Sequence, residues 1–142
     1  MRNVSQIIER KGSQVVAVSR QAPVLEAIRV MAEHHIGAVL VMEGAQLLGI
    51  ASERDYARKV ILQGRSSHDT AVTVIMSSPV VCVGPHDSIA ECMQIMTEKH
   101  IRHLPVIDNE RVIGVVSIGD LVKELIEEQK QEISLLQQYI AG

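Results

Sequence analysis

Phenylalanine and tryptophan are absent from this chain of 142 residues, and Tyr56 and Tyr139 are its only tyrosines. The stacking platforms that single-strand nucleic-acid binders use are therefore missing, and Val, Ile, Leu, Met and Ala must fill the core in thin aliphatic layers. Positive charge is not in excess either. Its 14 Lys and Arg stand against 17 Asp and Glu, so no basic field favours nucleic acid through counterion release. No apolar stretch approaches the roughly 18 residues that cross a bilayer, so no membrane partner is expected. The opening Met1-Arg2-Asn3-Val4-Ser5-Gln6 lacks the apolar core of a secretory signal. The expected location is the cytoplasm or an equivalent reducing space, an organelle matrix included. Cysteine is scarce: Cys82 and Cys92 lie in a β-like run and a helical pattern, at neither metal nor redox spacing, and read as buried small hydrophobes.

Catalytic signatures are missing as well. There is no Gly-x-Ser-x-Gly elbow, no Cys-His nucleophile arrangement and no phosphate-binding Walker loop. His34 and His35 are neighbours on one helix and cannot form an i, i+4 metal pair, while His35 and His100 occupy helix C-terminal positions. No catalytic residue, no metal ligand and no catalytic cofactor is expected.

What the chain does contain is a repeat. A shift of 65 residues aligns 15–56 with 80–121 without a gap, pairing Val15/Val80, Val18/Val83, Glu26/Glu91, Met31/Met96, His35/His100, Gly49/Gly114, Ser52/Ser117 and Asp55/Asp120. A weaker lead-in, Val4–Ile8 against Val72–Met76, recurs at a shift of 68. The polar stretch Gln63–Thr70 marks the boundary between repeats.

Each repeat reads as β-α-β-β-α. Gln14–Val18 and Val80–Val83 are β-branched runs, followed by helix-start signals at Pro23 and at Ser88-x-x-Glu91, the latter fitting a capping box. Strand-like runs follow at 38–42 and 47–51, and at 104–107 and 112–116, joined by the turn residues Glu43-Gly44 and Asp108-Asn109-Glu110. Second helices are expected at 54–63 and 119–129. The predicted division is a first repeat over 1–65 with its lead-in helix, a second over 66–128 and a helical tail over 129–142. Units of about 60 residues are marginal alone, so the two sheets should pack against each other around a pseudo-twofold axis. The fold class is α/β (α+β).

The most informative segment is Gly49-Ile50-Ala51-Ser52-Glu53-Arg54-Asp55, repeated as Gly114-Val115-Val116-Ser117-Ile118-Gly119-Asp120. It sets a hydroxyl and a carboxylate where a strand becomes a helix. Backbone N–H groups there favour an anion, and a carboxylate can accept from both hydroxyls of a ribose. A plain capping box accounts for the same pattern taken singly; recurrence at the same place in both repeats is what singles it out.

These motifs resemble the CBS domain, the family named for cystathionine β-synthase. The run Ile101-Arg102-His103-Leu104-Pro105-Val106 is similar to the family's second-strand motif, whereas Ile36-Gly37-Ala38-Val39 departs from it. The chain looks like the small stand-alone CBS pairs that carry a Ser-Glu-Arg-Asp-Tyr-Ala-Arg-Lys segment, here 52–59. The resemblance implies clefts that take AMP, ADP, ATP, NAD or S-adenosylmethionine. It implies that Asp120 or Asp55 binds ribose and that Ser117 or Ser52 binds phosphate or ribose. The first strands, at Val81 and Val83 or at Val16, would read the adenine. Arg102, His103 and Pro105 would line the second cleft, with Ala38 as the counterpart of His103 in the first. Arg54 is the basic candidate near the first motif, and Arg58 and Lys59 read as a solvated helix face.

A regulatory module that senses an adenosyl ligand and modulates a partner protein is the leading reading. An interaction scaffold with vestigial clefts is the alternative, and nucleic-acid binding through the Arg54–Arg65 region is a more distant one. Beyond Asp120, the residues Val122, Ile126, Gln129, Ile133, Leu136 and Ile140 recur at spacings of three and four. That is the seam of a short coiled coil or a docked helix, and it predicts a homodimer.

Overall fold

The computed structural model describes residues 2–141. Its elements run α1 (Val4–Lys11), β1 (Ala17–Ser19), α2 (Val24–His34), β2 (Ala38–Glu43), β3 (Gln46–Ser52), α3 (Glu53–Tyr56), a π-helical turn (Ala57–Ile61), α4 (Val72–Ile75), α5 (Ile89–Lys99), β4 (His103–Asp108), β5 (Arg111–Ser117) and α6 (Ile118–Ala141). This is the mixed α/β arrangement expected, with two sheets and a long C-terminal helix. The chain divides into two compact units that cut across the repeat. One is Val15–Val81; the other joins the segment ending at Gln14 to the stretch from Cys82 onward.

In the Val15–Val81 unit, β1 pairs parallel to β2, and β2 antiparallel to β3. The stretch 38–41 of β2 is buried throughout, as a strand covered on both faces should be. Val18, Ala27, Met31, Val39, Val41, Ala51 and Val60 form the core, closed by Val72 and Ile75 of α4. Gly44, at φ 60°, makes the hairpin turn.

In the other unit β4 and β5 form the hairpin, turning through Asn109 at φ 50° and Glu110 at φ 66°, the two left-handed residues of a tight turn. Both hairpins carry a register shift at the same place in the repeat, after Val41 and after Val106. The strand expected over Val80–Val83 reduces to a single parallel bridge, Val83 to Val106. The physical reason lies in Pro105. In the first sheet the Leu40 N–H donates to the Val16 carbonyl at 3.2 Å; Pro105, at Leu40's position in the repeat, has no N–H to give.

The lead-in helices are exchanged between the repeats. α1 is fixed by Val4 N–H donating to Asp87 O at 3.0 Å and Ser5 N–H to Pro85 O at 2.8 Å. Its Val4 and Ile7 are buried with Val83, Ile89, Cys92, Met96, Leu104, Val106, Val116 and Leu121. Ile8 of α1 lies over Gly114, and at the corresponding point Met76 lies over Gly49. The first lead-in thus completes the core of the second repeat, and the second lead-in that of the first.

Charge accompanies this exchange. Position 59 of the first repeat is Lys and its counterpart, position 124, is Glu. Lys59 donates to the Ile75 carbonyl of α4 at 3.0 Å. Glu124, 1% exposed, is instead met by Arg2 and by Arg10 of α1, whose Nη2 donates to Oε1 at 3.4 Å and whose Nη1 lies 3.0 Å from Oε2 but off the line of a hydrogen bond. The lead-in that docks on Glu124 carries Arg2, Arg10 and Lys11, and their counterparts in the other lead-in are Thr70, Ser78 and Pro79.

Two helix details differ from the expectation. At Ser88 only half of the capping box forms, with Glu91 N–H donating to Ser88 Oγ at 3.1 Å while the Glu91 side chain stays exposed. The helix expected at 54–63 widens after one α-turn into the π-helical turn, whereas its counterpart runs straight on into α6. His35 and His100 are left-handed C-cap residues at φ 55° and 57°.

Candidate functional site

Both Ser-x-x-Asp segments stand where a strand ends and a helix begins. Ser52 N–H donates to Asp55 Oδ2 at 2.9 Å, and Asp55 N–H donates to Ser52 Oγ at 3.1 Å. Ser117 N–H likewise donates to Asp120 Oδ2 at 2.8 Å, and Asp120 N–H to Ser117 Oγ at 3.1 Å. Each pair is a reciprocal capping box that satisfies two helix N-terminal donors. The plain structural role of the motif is therefore present in both units, and each aspartate uses only Oδ2 for it.

The register fixes what surrounds the serines. Ala38 is the cross-strand partner of Ser52, and His103 that of Ser117. The backbone closes both junctions alike: Glu53 N–H donates to Gly37 O at 3.0 Å and Ile118 N–H to Arg102 O at 2.9 Å. His103 and Pro105 thus lie on β4 beside the Ser117 junction, Pro105 being buried and Arg102 exposed. Val83 is buried in the same unit. Val16, Ala38, Ser52, Arg54 and Asp55 belong to the Val15–Val81 unit, where Arg54 is exposed. Val81 is the last residue of that unit, so the division of the chain places it with the first motif rather than with Ser117 and Asp120.

Lysines that the sequence did not single out meet both carboxylates. Lys59 Nζ lies 3.5 Å from Asp55 Oδ1, one helical turn away, and with Arg58 it stays on the exposed face expected of it. In the other unit the lysine comes from α1. Lys11 Nζ donates to Asp120 Oδ2 and to the Val115 carbonyl, each at 2.9 Å. No local pattern could reveal that contact, because the two residues are 109 positions apart.

The electrostatics follow. Burial pushes the Asp120 carboxyl up, but the Ser117 N–H, the Lys11 ammonium and the Ser117 hydroxyl outweigh it and hold the group below its ordinary 3.8. Burial lowers His103 from 6.5, and Lys11 and Arg102 lower it further against the opposing pull of Asp120. His103 is therefore a largely neutral ring beside a charged carboxylate–ammonium pair. Cys92 is pushed up to about 11, first by burial and then by Asp87 and Glu91, as suits an inert core thiol. Among the described residues no cluster of three His, Cys, Asp or Glu is placed to hold a metal, and no helix is long and apolar enough to cross a membrane.

This arrangement, a repeated strand-to-helix junction bearing Ser and Asp beneath an exchanged lead-in helix, is matched in sequence by the CBS domain over residues 4–61 and again over 72–127. The chain belongs to the CBS domain family and carries two copies of the domain. It is similar to the mitochondrial CBS domain-containing protein CBSX3 of Arabidopsis thaliana, 42% identical over 124 residues that cover 84% of this chain; the match spans 60% of the plant protein's length. It is also similar to the CBS domain-containing protein YhcV of Bacillus subtilis, 34% identical over 118 residues, with 83% of this chain and 84% of that protein covered. A solved structure from Burkholderia ambifaria MC40-6, described as a candidate signal-transduction protein with CBS domains, superposes with a TM-score of 0.86 at 48% identity and covers 90% of this chain and 96% of that one. CBS domains generally bind adenosyl ligands, and proteins built from them often form oligomers.

Proposed function

We propose that this chain is a regulatory module that binds an adenosyl ligand at its Ser-x-x-Asp junctions and passes the occupancy on to a partner protein, carrying out no reaction of its own. One observation carries the reading: the same Ser–Asp junction is built twice, each time with one carboxylate oxygen spent on the helix cap and a cation held at the carboxylate. The Asp120 carboxylate stays ionised at neutral pH, as an acceptor for two ribose hydroxyls must. His103 and Arg102 supply a neutral and a cationic donor beside Ser117. Aliphatic side chains can cover the faces of a purine without any aromatic ring. A ligand shifts the module only as far as its affinity differs between two arrangements of the repeats.

The module works as a homodimer. Every residue from Gln129 through Ala141 is exposed, yet Ile133 at 55%, Leu136 at 62% and Ile140 at 82% form an apolar row along that stretch. An isolated helical arm of this length is marginal in water, and a second copy of the same row covers it. A location in the cytoplasm or an organelle matrix fits the mitochondrial relative.

The scaffold alternative has its own support, since both aspartates already have a structural task as caps. A thermal-shift panel of AMP, ADP, ATP, NAD and S-adenosylmethionine separates the two readings. Ligand at about 100 times its dissociation constant adds roughly 2.7 kcal/mol, a rise of several degrees for a chain of this size. A flat panel supports the scaffold.

A further inference from the structure

The Asp120 junction differs from the Asp55 junction in where its cation comes from. Lys59 stands one helical turn after Asp55 and reaches it at 3.5 Å while also donating to Ile75 O. Lys11 is the last residue of α1, followed by Gly12 at φ 86°, and it crosses to another part of the fold to reach Asp120 at 2.9 Å. Its counterpart in the second lead-in is Pro79, which has no charge. The Lys11 side chain is 42% exposed, so a surface ion pair of this kind adds little to folding. Arg102 is exposed and precedes His103, the cross-strand neighbour of Ser117. The Lys11 ammonium thus sits on the Asp120 carboxylate, while Arg102 stands exposed just before the strand that faces Ser117.

We propose that Lys11 is a specificity-determining residue of the Asp120 junction, one that makes this site select phosphorylated adenosyl ligands over uncharged or cationic ones. The inference rests on the adenosyl-sensing reading and goes beyond it by naming the residue and the ligand class. In the unliganded protein the ammonium neutralises Asp120. A ligand whose ribose hydroxyls take the carboxylate displaces it, and the four-carbon stem can then swing the ammonium onto the ligand's phosphate. Without that cation an ionised Asp120 repels a phosphate brought close to it; with it, the junction accepts a dianion. The sulfonium of S-adenosylmethionine meets the same ammonium as a like charge. Because Lys11 ends α1, its move also links occupancy to the lead-in helix.

The test compares AMP with adenosine by calorimetry on the full chain and on Lys11→Met and Lys11→Arg. The expected result is a loss of at least tenfold in AMP affinity for Lys11→Met, adenosine affinity unchanged or higher, and AMP affinity largely kept in Lys11→Arg. Equal losses for both ligands in Lys11→Met mark a purely structural residue and overturn the proposal. So does unchanged AMP binding. If the parent chain binds neither AMP nor adenosine, the adenosyl reading itself fails and the proposal falls with it, an outcome visible before any variant is made.

Discussion

Gly49→Ala should destabilise the protein and Gly114→Ala should not, although the two glycines are equivalent in the repeat. Neither has a positive φ, so the effect is one of space. A Cβ at position 49 would lie 2.5 Å from Met76 Sδ, 2.8 Å from Met76 Cγ and 3.0 Å from the Ser77 carbonyl oxygen. The methionine can rearrange. The carbonyl cannot easily move, because it accepts from Ile50 N–H at 3.2 Å while Ser77 N–H donates to Ile50 O at 2.8 Å. Overpacking of this kind costs about 1–3 kcal/mol, against about 0.5–1 kcal/mol regained by replacing glycine in a strand. The net loss is about 1–2 kcal/mol, a fall in Tm of about 3–8 °C for a chain near this size. At position 114 the Cβ would meet only Ile8 Cδ1, at 2.8 Å, the free end of a flexible side chain. Moving it off its rotamer costs about 0.5–1.5 kcal/mol, which the glycine replacement roughly cancels. Urea unfolding of both variants, with Met76→Ala added to Gly49→Ala for partial rescue, measures the difference. A Gly114→Ala loss equal to or larger than that of Gly49→Ala would refute the reasoning.

Glu124→Leu should cost about 3 kcal/mol, because it strands the mostly buried Arg2 without a partner; Arg10, 45% exposed, can return to water. Adding Arg2→Met should recover most of that loss, and a single variant within 1 kcal/mol of the parent in urea denaturation would contradict the buried pairing. Stability should fall as pH drops below 6.5, because unfolded His103 takes up a proton that the folded ring, its pKa lowered, refuses until lower pH. His103→Gln should flatten that limb of a denaturation–pH profile. A second loss should set in as pH falls through 3.8, where the unfolded Asp120 carboxyl takes up a proton that the folded one, its pKa depressed, refuses until lower pH, and Asp120→Asn should remove it. Truncation after Glu128 should halve the mass seen by light scattering; an unchanged dimer would remove the tail from the interface.

The repeat was legible because the Gly-x-x-Ser-x-x-Asp segments and their hairpins recur at one fixed shift, and the local signals agree with it. Capping residues, β-branched runs and turn residues each act within a few positions. What escaped depends on distant pairs. Val80–Val83 has strand composition, yet Pro105 across the ladder withholds the hydrogen bond a strand there would need. The exchange of lead-in helices follows no local rule, since Val4–Lys11 and Val72–Ile75 could each dock by hydrophobic pattern on either repeat. The charge reversal from Lys59 to Glu124, matched by Arg2, Arg10 and Lys11 on one lead-in alone, is the signal that could have shown it. At the site, Ser52, Asp55, Ser117, Asp120 and His103 stand at the strand-to-helix junctions where the motif put them. Lys11 could not be found without the fold.

Ser–Asp junctions that hold an adenosyl ligand are more than helix caps, and that difference can be measured. Calorimetric titration of AMP into the parent chain, Asp120→Ala and Asp55→Ala tests it most directly, with the unfolding free energy of each unliganded variant measured alongside. A lost cap costs about 0.5–2 kcal/mol of stability, whereas losing two ribose hydrogen bonds to a charged acceptor costs about 1.5–3 kcal/mol each in binding. The expected result is saturable binding to the parent and at least a tenfold loss in Asp120→Ala, about 1.4 kcal/mol or more, with a smaller loss in Asp55→Ala. AMP bound as tightly by both folded variants as by the parent would contradict it and leave the motif a cap.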